Sequence, residues 1–123
     1  LVSPYYLRGS IINYLRECPD ANKLQLLIQV ASALSYLHRL SIIHGDVKGS
    51  NILINGNGEA SLADFGLSRI LEKSGFTTKT TSGTWRYMAL ELVSPPRGEY
   101  EEFIPRVTMA TDVWAFAMTI VEV

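Results

Sequence analysis

Between Asn51 and Asp64 the chain carries a short apolar run, a turn and a second short run, and no other segment constrains the fold as tightly. Ile52-Leu53-Ile54 has the length and β-branched content of a strand. Asn55-Gly56-Asn57-Gly58 supplies the positive φ angles that a tight reversal needs, and Ala60 to Ala63 then reads as the returning strand. A hairpin here has a geometric consequence. It brings Asp64 back beside Asn51, so two oxygen-bearing side chains separated in sequence meet at one end of it.

The flanks of this hairpin carry the chemistry. His44-Gly45-Asp46-Val47-Lys48-Gly49-Ser50-Asn51 precedes it and Asp64-Phe65-Gly66 follows it. Phosphoryl transfer from ATP needs positioned magnesium, a group that orients the attacking hydroxyl, and cations near the transferred phosphate. Asp46 can accept a hydrogen bond from a substrate hydroxyl, and Lys48 can reach the same phosphate as a point charge. Asn51 offers a neutral amide oxygen and Asp64 a carboxylate, both hard ligands suited to Mg²⁺. Gly66 lets the backbone turn sharply behind Asp64. A lone Asp-Phe-Gly is a common strand-end turn, and a lone His-x-Asp is equally uninformative. Their order and spacing around one hairpin are what carry the signal.

The rest of the chain supplies a mainly helical frame. Leu1 to Ser3 reads as the end of an apolar strand, broken by Pro4, with a connector closing at Gly9. Ile11, Ile12, Tyr14 and Leu15 predict a short helix, and Asp20 is the expected N-cap of the next one. From Asn22 to Leu40 the spacing of Leu24, Leu27, Ile28, Ala31, Leu34 and Leu37 predicts an amphipathic helix, with His38 and Arg39 suiting the dipole of its last turn. Ser68 to Ser82 is polar, and Pro95-Pro96-Arg97-Gly98 is a turn cluster. Thr111 or Asp112 is the expected cap of a final buried helix. The apolar run in it, Val113 to Val121, is about half of the roughly 20 residues that would cross a bilayer.

Composition narrows the function. A net charge of −1 gives no basic footprint for nucleic acid, and the single cysteine, Cys18, excludes an internal disulfide or a cysteine metal cluster. With no membrane segment or signal peptide in view, a cytoplasmic, reducing compartment is the expectation. The first residues lack a methionine and resemble the inside of a strand, so both ends of the 123 residues read as cuts through a larger domain.

On these motifs the chain resembles the eukaryotic protein kinase family over essentially its whole length. The resemblance implies an α+β fold, a partial kinase domain spanning residues 1–123 from the hinge to the start of the long C-lobe helix. It implies ATP and Mg²⁺ as cofactors and a protein substrate. Asp46 would orient the hydroxyl, and Asn51 and Asp64 would hold metal. The Pro4 carbonyl and Tyr6 amide would contact adenine. Leu53 would pack beneath the ring, a role no more compatible with its position than that of an ordinary strand residue. Gly83-Thr84-Trp85-Arg86-Tyr87-Met88-Ala89-Leu90-Glu91 is similar to the substrate-docking end of the activation segment, where Thr84 would bridge Asp46 and Lys48. Lys48 and Thr84 together imply a serine/threonine kinase, and Trp-Arg-Tyr-Met is similar to the tyrosine-kinase-like group, with the catalytic loop wording also similar to fungal members. Asp112 would hold the catalytic loop through its backbone.

Three departures qualify the family pattern. Gly45 stands where the family usually has Arg, so activity is expected not to depend on pairing that residue with a phosphorylated activation segment. Leu90 replaces the expected proline before Glu91, which implies a looser anchor. The Gly-rich phosphate loop, the strand lysine and its helix glutamate do not appear in the chain. These residues alone are therefore expected to have little activity, with apolar faces left exposed. The alternative reading is a pseudokinase or truncated interaction module without catalysis.

Overall fold

The structure is a computed structural model that describes residues 6–64, 84–94 and 106–123. The expected strand at Leu1–Ser3, Pro4, the Phe65-Gly66 pair, the Ser68–Ser82 stretch and the Pro95–Gly98 turn lie outside the described residues.

Helix α1 (Ile11–Glu17) starts at Ser10, whose hydroxyl accepts the Asn13 amide at 3.4 Å. Helix α2 (Lys23–Arg39) starts at Asn22, whose Oδ1 accepts the Gln25 amide at 3.0 Å. This corrects the cap expected at Asp20. Pro19 and Asp20 instead form the turn before the helix, and Asn22 is the residue within reach of an orphan amide.

The α2 helix exists as expected, but the covered face differs. Leu26, Val30 and Leu34 are buried, whereas Leu24 and Ile28 remain exposed at 68% and 49%. Apolar residues occupy two overlapping faces of α2, and periodicity alone does not say which one meets a partner. The hairpin and α1 decide it, because Ile11, Leu26, Val30, Ile52 and Ile54 close into one core.

Strands β1 (Ile52–Ile54) and β2 (Ala60–Leu62) pair antiparallel, with Ile52 opposite Leu62, Leu53 opposite Ser61 and Ile54 opposite Ala60. Alternation sends Ile52 and Ile54 into the core and leaves Leu53 half-buried on the other face. Asn55 organises the reversal: its Oδ1 accepts the amides of Asn57 at 3.0 Å and Glu59 at 2.9 Å. Gly58, at φ +80°, is the glycine of this turn with a left-handed backbone. The Gln29 side chain accepts the Ala60 amide at 2.8 Å and ties the hairpin to α2.

Two further helices complete the described fold, the single turn α3 (Leu90–Val93) and α4 (Met109–Glu122). Thr108 caps α4 by accepting the Thr111 amide, and Thr111 reciprocates by accepting the Thr108 amide at 2.9 Å. The cap expected at Thr111 or Asp112 is therefore corrected to Thr108, which leaves the Asp112 carboxylate available elsewhere. Nor is α4 buried all round. It turns Thr111, Asp112, Ala115 and Thr119 inward, while Val113, Trp114, Ile120 and Val121 are exposed. Ala115 joins Leu34, Val47 and Tyr87 in a second core cluster. Helices around one small antiparallel sheet make this the expected α+β class, a partial kinase-like fold.

Gly49 sits tightly between the side chains of Ile12 in α1 and Glu122 in α4. A Cβ there would lie 2.6 Å from Glu122 Oε2 and 2.6 Å from Ile12 Cδ1. Gly49→Ala in the full-length protein is therefore expected to cost about 1–3 kcal/mol, read as a lower urea midpoint at unchanged slope.

Candidate active site

The site is built on a loop that has no regular hydrogen-bond ladder of its own, so side chains supply its supports. Asp112, in the first turn of α4 and only 1% exposed, receives the His44 amide on Oδ2 and the Gly45 amide on Oδ1, each at 2.8 Å. The helix N-terminus favours a negative charge at this point. This is the backbone grip that the family resemblance implied for Asp112. Gly45 takes φ +81°, a region glycine enters without strain. The residue that departs from the family pattern thus suits the turn it occupies.

His44 is fully buried and joins the loop to the far end of the hairpin. Its Nδ1 accepts the Asp46 amide at 3.2 Å, so Nε2 carries the hydrogen and donates to the Ala63 carbonyl at 2.9 Å. Burial pushes its pKa down, against the pull of the Ala63 carbonyl and nearby Asp112, which favours the neutral ring that this pattern requires. One side chain therefore sets Asp46 and the residue preceding Asp64 relative to each other.

Asp46, Lys48 and Asn51 form one cluster. Lys48 Nζ lies 2.7 Å from Asp46 Oδ2. Asn51, 7% exposed, donates its Nδ2 to the same oxygen at 2.9 Å and to the Asp46 carbonyl at 2.8 Å. With Nδ2 committed, the Asn51 amide is held in one orientation, its oxygen outside these two bonds. The Ala63 amide donates to the Asn51 carbonyl at 2.8 Å, so the hairpin returns the chain to Asn51 one residue before Asp64. Asp64 is exposed and sits at φ +60°, a conformation aspartate tolerates better than most residues but one that surrounding structure must enforce.

This donor set fits magnesium. Among the described residues no group of three or more His, Cys, Asp and Glu side chains forms a metal cage. Mg²⁺ instead prefers one or two protein oxygens together with water and phosphate oxygens, which is what Asn51 and Asp64 offer.

The other expected residues are placed unevenly. Pro4 lies outside the described residues, as does the Thr84 side chain, although the Thr84 backbone opens a 3₁₀ turn through Tyr87. The connector carrying Tyr6 runs against β1: Arg8 donates to Ile54 at 3.2 Å, Ile54 donates to Gly9 at 2.8 Å, and Ser10 bridges Leu53. Tyr6 and Leu53 thus belong to one locally paired unit.

Two contributors were not foreseen. Glu122, at the end of α4, accepts the Gly49 amide at 3.1 Å. It also hydrogen-bonds Tyr87, whose pKa is pushed up to about 12, first by burial and then by this carboxylate. His38 places its Nε2 2.9 Å from Asp112 Oδ2. Neither has a local sequence signal, because their partners lie 73 and 74 residues away.

Comparison with known proteins gives the same picture. The family described as protein tyrosine and serine/threonine kinase matches residues 1–123. The serine/threonine-protein kinase dst4 of Dictyostelium discoideum is 36% identical over 99% of this chain, which covers 25% of that protein. Mitogen-activated protein kinase kinase 7 of Arabidopsis thaliana is 37% identical over 95% of the chain, covering 37% of that protein. The serine/threonine-protein kinase STY17 of the same plant is 33% identical over 99% of the chain, covering 20% of that protein. The chain therefore spans well under half the length of these relatives. With this full-length match added to the catalytic-loop cluster, the hairpin and the Asp112 grip, the chain belongs to the protein tyrosine and serine/threonine kinase family.

Proposed function

We propose that the chain supplies the catalytic-loop half of an ATP-dependent protein kinase that phosphorylates serine or threonine hydroxyls of a protein substrate. The observation that carries this reading is the Asp46–Lys48–Asn51 cluster, held by His44 next to the hairpin end that bears Asp64. Asp46 orients the substrate hydroxyl and accepts its proton. Lys48, close to the same carboxylate, places positive charge where the transferred phosphate accumulates negative charge. Asn51 and Asp64 hold magnesium. Thr84 supports Asp46 and Lys48, and Pro4, Tyr6 and Leu53 line the adenine side. Bound Mg-ATP supplies the phosphoryl group and its leaving group. Among the described residues no helix is long and apolar enough to cross a membrane, and the cytoplasm, which holds Mg-ATP, is the proposed compartment.

The reading is tested in the full-length protein with Asp64→Ala. A metal that stabilises phosphoryl oxygens is worth several kcal/mol, so turnover is expected to fall roughly 10²-fold or more, with a higher Mg²⁺ requirement. Unchanged turnover and an unchanged Mg²⁺ titration would refute the metal role. A non-catalytic interaction module would show no phosphotransfer in the wild type either.

A further inference from the structure

The 3₁₀ turn Thr84–Tyr87 ends on a buried residue that follows two exposed ones. Tyr87 packs in one cluster with Leu34, Val47 and Ala115, and it hydrogen-bonds Glu122, which accepts the Gly49 amide at 3.1 Å. The turn is therefore pinned to the catalytic loop on both sides of Lys48, through Val47 before it and Gly49 after it. That anchoring leaves Trp85, 50% exposed, and Arg86 open to solvent at the margin of the loop. Arg86 has no ion-pair partner among the described residues. The acidic groups of the loop region are already engaged, Asp46 with Lys48 and Asn51, and Glu122 with Gly49 and Tyr87. Burial and Glu122 do most to raise the Tyr87 pKa, but Arg86 pulls it down while Asp46 pushes it up, so both charges act on this one phenol. An exposed guanidinium with five N–H donors takes a carboxylate as a two-pronged fork, a geometry that a lysine cannot offer.

We propose that Arg86 selects the substrate, an inference that rests on the kinase reading above: the favoured protein segment carries an aspartate or glutamate near the serine or threonine that is phosphorylated. With the acceptor hydroxyl at Asp46, a carboxylate of the same segment meets the Arg86 guanidinium. Arg86 takes no part in the transfer itself. Its contribution is to binding, so it acts on KM for the protein segment and not on kcat.

The test uses the full-length protein with serine peptides that differ at one position, aspartate, alanine or lysine, walked along both sides of the serine. In the wild type kcat/KM for the aspartate peptide is expected to exceed that for the alanine peptide about fivefold at the position that meets Arg86, through KM, with the advantage shrinking in high salt. Arg86→Gln should abolish the advantage, and Arg86→Glu should transfer it to the lysine peptide. Each comparison is a ratio within one variant, so it does not depend on how much of that variant folds. Equal kcat/KM for aspartate and alanine peptides at every position in the wild type, or an aspartate preference that survives both substitutions, overturns the assignment. A wild type that transfers phosphate to no serine or threonine, its own included, overturns the kinase reading itself, a result that does not depend on residue 86.

Discussion

Asp46→Ala in the full-length protein is expected to lower kcat by about 10²–10⁴-fold while the KM for ATP changes little. The size follows from two losses at one position. On the proposed mechanism the substitution removes the group that orients the hydroxyl and takes its proton. It also removes the oxygen that Lys48 approaches to 2.7 Å and to which Asn51 donates at 2.9 Å. Both neighbours then lose their fixed placement, and misplacement in a phosphoryl-transfer site is itself costly. Asp46→Asn separates the terms. An asparagine oxygen can still accept from Lys48 or Asn51, so a deficit that persists in that variant belongs to the lost carboxylate. The bond from Asn51 to the Asp46 carbonyl survives both substitutions, so the fold should persist. A kcat within about threefold of wild type in both variants would remove Asp46 from the mechanism.

Asp112→Ala is the corresponding prediction for stability. The side chain is buried and receives three donors, so its removal strands the His44 and Gly45 amides and the His38 ring in a dry site. Breaking a buried, hydrogen-bonded charge costs about 3–5 kcal/mol. Against a typical total of roughly 5–15 kcal/mol, that is a large fraction of the fold's stability. The urea midpoint of the full-length protein is expected to fall accordingly. Asp112→Asn should be milder, since an oxygen at the Oδ2 position keeps the His44 amide and His38 while the NH₂ opposes only the Gly45 amide. A loss below about 1 kcal/mol for the alanine variant would show that the loop does not depend on this grip.

The hairpin and the catalytic-loop cluster were legible in the sequence, because each depends on local rules or on a motif in which neighbouring residues have complementary chemistry. The grip of Asp112, which reaches back 67 and 68 residues, came only from the family resemblance. The phase of α2 was not legible, because Leu24 and Ile28 are as periodic as Leu26 and Val30, and only the packing of Ile11, Ile52 and Ile54 selects between the faces. Caps were misassigned by two to four residues for a similar reason. Asp20, Asn22, Thr108, Thr111 and Asp112 are all chemically able to cap, and geometry chooses among them. Asp112 was left free of capping because Thr108 and Thr111 satisfy each other, and that freedom is what lets it serve the catalytic loop. The contributions of His38 and Glu122 are long-range contacts that no local pattern encodes. Gly45 gained a reason from the backbone: its φ of +81° makes glycine suited to the turn, independent of any role in control.

The most direct measurement of the central claim is transfer of label from γ-phosphate-labelled ATP to a serine/threonine protein substrate by the full-length protein with Mg²⁺, wild type beside Asp46→Ala. The expected result is phosphoserine or phosphothreonine formed by the wild type and lost, by about 10²-fold or more, in the variant. A wild type that binds Mg-ATP yet transfers no more phosphate than Asp46→Ala would contradict the claim that this loop performs the chemistry.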